Sequence, residues 1–93
     1  MSSHQLIGRN LRLLRTARNI SQSELAHLAG IDRTYVSRLE RVVENPSVSV
    51  LDKLSLALGV TTADLFAPVG ADLAKLPPLK AGRPRKSRNG PGA

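Results

Sequence analysis

Cysteine is absent from this 93-residue chain, which excludes a disulfide framework and any thiolate metal site and suits a reducing compartment. Long apolar runs are absent as well. No stretch approaches the ~18 consecutive apolar residues of a membrane span, and no basic-then-apolar leader is present, so a soluble, cytoplasmic protein is expected. Aromatic residues are reduced to Tyr35 and Phe66, which argues against readers of single strands that stack bases on aromatic rings. Acidic charge is scarce, with 7 Asp/Glu against 14 Lys/Arg and a net charge of +7. That balance implies a polyanionic partner, nucleic acid ahead of a membrane surface. Paired-carboxylate clefts, Ser/His/Asp or Cys/His sets and glycine-rich phosphate loops are missing, so an enzyme is not expected. His4 and His27 are too isolated for a metal or catalytic site and read as surface residues.

What is present is helical punctuation. Five helices can be read and no strand. Ser2 with Gln5 makes a capping box for the first, in which Ile7, Leu11 and Leu14 share one face while Arg9, Arg12 and Arg18 read as a solvated side. The second opens at Ser21, with Leu25, Ala26 and Ala29 on one face, and the third at Asp32, with Val36 and Leu39 on one face. Asn45-Pro46 blocks helix, Ser47 caps the fourth, and Val48, Leu51, Leu54 and Leu58 form its expected core face up to Gly59. Thr61 with Asp64 caps a last short helix through Leu65 and Phe66. Charge and composition change beyond it. Residues 1–67 carry eight Lys/Arg against six Asp/Glu, whereas residues 68–93 carry six against one and are rich in Pro and Gly. The expected organisation is a helical domain over 1–67 and a basic tail over 68–93, mostly disordered, with 79–93 disordered when free.

The second and third helices are each too short to stand alone, and a single glycine, Gly30, separates them. Crossing two short helices through a tight turn pushes one outward while burying its back. A helix must protrude in this way to enter the major groove of DNA. Ala26 and Ala29 allow the close approach, and Val36 and Leu39 anchor the reading helix from behind. Arg33, Thr34, Ser37 and Arg38 remain outward. Arginine can pair with guanine O6/N7, and Thr or Ser can bond bases or phosphates.

The motifs "LRLLRTARNISQSELAHLAGI", "SRLER", "NPSVSVLDKLSLALGV" and "DLF" follow one another in order from Leu11 to Phe66, within a match that runs from about Leu6. Together they resemble the Cro and phage-repressor type helix-turn-helix family, the XRE family. The resemblance implies an all-α, compact five-helix bundle of the lambda-repressor-like DNA-binding type, with the basic tail appended. It also implies a sequence-specific transcriptional regulator, acting as a homodimer on palindromic double-stranded DNA, a repressor if it occludes its promoter or an activator if it recruits polymerase. Arg33, Thr34, Ser37 and Arg38 would face bases, and Gln22, Arg41 and Asn45 would contact phosphates. Tyr35 is open between a phosphate contact and packing. Arg15 and Glu40 match the pair that joins the first and third helices in the family. No cofactor or metal is implied. The run "IDRTYVSRLER" followed by "NPS" also resembles controller proteins of restriction–modification systems, which regulate their own operons as dimers. The setting would be a bacterial or phage cytoplasm, with nucleoid association when DNA-bound.

Two positions depart from the family. Val42 stands where it usually has glycine, so the loop after the reading helix must turn differently or strain. Glu44 stands where it often has a basic residue. In the tail, "GRPRK" resembles an AT-hook core, against the plainer reading of a basic arm whose Arg83, Arg85, Lys86 and Arg88 touch phosphates non-specifically. Val50 and Leu56 lie off the core face of the fourth helix and are expected, with the fifth helix and Leu73, to form a dimer contact. Two other functions compete. An antitoxin-like module would bind a protein partner, on which the tail would fold, and repress its own operon. A nucleoid-type binder would bind specific and random DNA alike.

Overall fold

The computed structural model describes residues 1–79. The tail residues Arg83, Arg85, Lys86 and Arg88, the "GRPRK" stretch and, apart from Leu79, the expectation of disorder over 79–93 lie outside the described residues. Within 1–79 the chain forms four α-helices, α1 (Ser3–Ala17), α2 (Gln22–Ala29), α3 (Arg33–Glu40) and α4 (Val48–Leu58), then two 3-10 helices, Thr62–Phe66 and Leu73–Lys75. No described helix is long and apolar enough to cross a membrane.

Each α-helix starts where a short polar side chain can accept from its first turn. Ser2, Ser21, Asp32 and Ser47 hold extended backbones and cap α1 to α4. Ser2–Gln5 and Ser21–Glu24 are full capping boxes, as is Thr61–Asp64 ahead of the first 3-10 helix. The four ends are also alike. Asn19, Gly30, Val42 and Gly59 take left-handed backbones with φ of 60°, 70°, 61° and 71°. The next residue then bonds back: Ile20 N to Arg15 O, Ile31 N to Ala26 O, Val43 N to Arg38 O and Val60 N to Ser55 O, at 2.9–3.3 Å. These are Schellman terminations, which satisfy carbonyls that would otherwise end the helix unpaired.

The core is built from Ile7, Leu11 and Leu14 of α1, Leu25, Ala26 and Ala29 of α2, Val36 and Leu39 of α3, and Leu51, Leu54 and Leu58 of α4. Val60, Leu65 and Leu73 close it. Gly8 lets α1 lie directly on the end of α3: a Cβ there would stand 2.7 Å from the Leu39 carbonyl oxygen and 3.2 Å from Val42 Cγ2.

Several expectations need correction. The fifth helix is a five-residue 3-10 turn, because Pro68 holds Ala67 extended and Asn10 captures its carbonyls. Buried Asn10 donates from Nδ2 to Leu65 O at 3.0 Å and Ala67 O at 2.9 Å. Val48 is 71% exposed, because it stands in the first turn of α4 beyond the edge of the core. Leu73 is 4% exposed and fills the core, so it is not part of a surface contact. Arg18 is not solvated. Its Nε donates to Leu58 O at 3.1 Å and its Nη1 to Leu76 O at 2.6 Å, while Leu79 N donates to Gly59 O at 2.7 Å. Residues 73–79, assigned by composition to the tail, are thereby folded back over the carboxyl end of α4.

Candidate nucleic-acid interface

Helices α2 and α3 meet through the left-handed Gly30 and the Asp32 cap, whose Oδ1 accepts from Thr34 N at 3.3 Å. Because residues four apart share a helix face, Arg33, Ser37 and Arg41 form one row and Thr34 and Arg38 the neighbouring row. Arg33, Thr34, Arg38 and Arg41 are exposed and Ser37 is half-buried, whereas Val36 and Leu39 behind them are buried. Tyr35 is half-buried and packs against the core, and Asn45 is exposed in the loop that follows α3. The result is a convex ridge with three arginines and two hydroxyls on its outer side.

The ridge is tied down at its base. Arg15 Nε donates to Glu40 Oε2 at 2.7 Å, Arg15 Nη2 donates to Glu40 Oε1 at 3.1 Å, and Arg15 Nη1 donates to Ile20 O at 2.9 Å. The two side chains are 13% and 5% exposed. Gln22 Nε2 adds a donor to Glu40 Oε1 at 3.1 Å. One carboxylate therefore joins α1, the first turn of α2 and the last turn of α3. This commits one of the two amide hydrogens of Gln22 and leaves the other without a hydrogen bond among the described residues.

The two positions that depart from the family, Glu44 and Val42, shape this surface. Arg38 Nε donates to Glu44 Oε1 at 3.0 Å, so the arginine is engaged from the loop. Val42 carries a left-handed backbone despite its β-branch, the conformation that glycine takes after α2 and α4. The amino end of α1 borders the same loop, where Ser2, His4 and Gln5 face residues 42–45 across an open groove. Among the described residues no cluster of His, Asp or Glu could hold a metal ion.

Comparison with known proteins matches residues 11–65 to a family described as helix-turn-helix. A hypothetical transcription factor of Neisseria meningitidis is 43% identical over 63 residues, covering 68% of this chain and 59% of that protein. Control protein C.BamHI of Bacillus amyloliquefaciens is 40% identical over 68 residues, covering 70% of this chain and 84% of that protein. Among solved structures, the restriction-modification controller protein C.AhdI from Aeromonas hydrophila superposes with a TM-score of 0.68 at 41% identity. That match covers 71% of this chain and 100% of the controller.

Proposed function

Since the chain belongs to the helix-turn-helix family, whose members are DNA-binding transcriptional regulators and not enzymes, we propose that it is a sequence-specific regulator that reads a palindromic operator as a homodimer. The observation that carries this reading is the outer side of α3. It leaves Arg33, Thr34 and Arg38 exposed and Ser37 half-buried, side chains of the kinds that can bond base edges, while Val36 and Leu39 hold the helix from behind. Gln22, Tyr35, Arg41 and Asn45 flank that row and serve as phosphate contacts, which set the register of the helix in the groove. The domain proper is assigned to residues 1–67, with 68–79 as a packed extension. Tail contacts from Arg83, Arg85, Lys86 and Arg88 add affinity without sequence information.

The dimer is supported by apolar side chains left on the surface of α4 and of the segment after it: Leu56 is 62% exposed, Phe66 40% and Val69 57%. Two-fold symmetry would place the two copies of α3 in successive major grooves, about 34 Å apart. Half-sites should then centre about ten base pairs apart. Selection of bound duplexes from a random pool, followed by footprinting and sedimentation of the complex, tests the proposal. A palindromic consensus bound by two chains is the expected result. A pool that shows no enrichment would overturn it.

A further inference from the structure

Glu44 places a carboxylate beside the outer side of α3, where a phosphate backbone would be repelled. The fold brings it there. Val42 takes its left-handed turn, Val43 N then bonds Arg38 O at 3.0 Å, and the chain folds back across the last turn of α3 with Glu44 opposite Arg38. The loop therefore holds Arg38 twice, by its backbone carbonyl and by its side chain. The side-chain bond uses Nε alone, at 3.0 Å to Glu44 Oε1. Within residues 1–79 the two terminal nitrogens of Arg38 make no hydrogen bond, and its side chain is 48% exposed. What Glu44 leaves unbonded is the end-on fork of the guanidinium, two parallel N–H donors whose geometry suits guanine O6 and N7.

We infer that Glu44 is a specificity-determining positioning residue, which holds Arg38 by Nε so that its terminal fork meets a base edge and is withheld from phosphates. This rests on the reading of Arg38 as a base contact. On an operator, the fork bonds the base while Nε keeps its carboxylate, so the side chain arrives already ordered. On random DNA no matching acceptor is in place. Glu44 also stands beside any phosphate that Arg38 would approach, so its charge opposes that contact. Both effects widen the gap between specific and non-specific binding, which is the quantity that matters for an operator.

The test uses the full chain with two duplexes of equal length, the operator selected from a random pool by the wild-type protein and a scrambled sequence. Glu44→Ala should lower the ratio of the two affinities about tenfold, a fraction of the discrimination that a bidentate arginine supplies. It should also steepen the salt dependence of log K on scrambled DNA by ~0.9, the signature of one new phosphate contact. Glu44→Gln keeps an oxygen that can accept from Nε but no charge, and should fall between the two. In an Arg38→Ala background, Glu44→Ala should leave the ratio unchanged. The inference is overturned if Glu44→Ala strengthens both duplexes equally, for then Glu44 acts only as a charge. It is overturned equally if the ratio changes as much without Arg38, for then Glu44 reads DNA by itself. A wild-type protein that does not discriminate between the duplexes refutes the operator reading itself, an outcome distinct from both.

Discussion

Arg15 and Glu40 are joined by two hydrogen bonds, Nε to Oε2 at 2.7 Å and Nη2 to Oε1 at 3.1 Å, with the carboxylate side chain only 5% exposed. Desolvating two charges costs about as much as their attraction returns, so such a pair adds little net stability. Its effect is on geometry. Glu40 is the last residue of α3, and Arg15 and Gln22 hold it from α1 and α2.

Removing one partner leaves the other buried and uncompensated. Glu40→Ala should destabilise the domain by about 3 kcal/mol, whereas replacing Arg15 and Glu40 together by methionine should recover most of that loss. Urea unfolding of Arg15→Met, Glu40→Met and the double methionine variant measures the coupling. Additive losses would show that the pair does not act as a unit.

Val42 adopts φ 61° where α2 and α4 end in glycine. A left-handed backbone costs an L-residue about 1–2 kcal/mol, partly offset in a glycine variant by the greater freedom of its unfolded chain. Val42→Gly should therefore stabilise the fold by roughly 0.5–1 kcal/mol. A lowered thermal midpoint would mean that the packing of Val42 against Gly8 outweighs the strain.

Gly8 carries the opposite expectation. An added methyl would stand 2.7 Å from the Leu39 carbonyl oxygen, a backbone atom that cannot rotate away. Gly8→Ala should destabilise by about 1–3 kcal/mol despite the better helix propensity of alanine. It should also shift α3 relative to α1, which operator affinity would register beyond the change in stability.

Arg33 has no partner within residues 1–79 that would need releasing before it could contact a base. Arg33→Ala should weaken operator binding by roughly 1–3 kcal/mol and random DNA far less. Equal losses on both duplexes, measured at one fixed salt concentration, would reassign Arg33 to the phosphate backbone.

Leu79 bonds Gly59 O, so truncation after Leu79 spares the folded unit. Deleting residues 80–93 removes Lys80, Arg83, Arg85, Lys86 and Arg88. The salt dependence of log K should flatten by ~0.9 for each phosphate that the tail no longer neutralises, with operator and random DNA weakened by similar factors. A loss confined to operators flanked by A·T tracts would indicate minor-groove reading by "GRPRK" instead. Unchanged slopes would exclude DNA binding by the tail.

Local grammar determined the helices by itself. Ser2, Ser21, Asp32 and Ser47 cap α1 to α4 where their positions in the sequence place them, because a cap spans two or three residues and depends on nothing distant. The apolar spacing of Ile7, Leu11 and Leu14, or of Val36 and Leu39, likewise marks the buried faces. The outer row of α3 follows by subtraction. What only the tertiary structure decided are interactions between residues far apart in the chain. Asn10 caps carbonyls 55 and 57 residues away, and Arg18 clamps carbonyls 40 and 58 residues away. Neither leaves a periodic trace, since a polar residue beside an apolar stripe looks the same whether solvated or satisfied by a distant carbonyl. The burial of Leu73 and the exposure of Val48 were decided in the same way, by where the neighbouring elements end. Val42 is the sharpest case. Its β-branch argues against a left-handed turn, yet the packing of α1 against α3 and the bond from Val43 N to Arg38 O over-determine that backbone, and the turn so imposed carries Glu44 to Arg38.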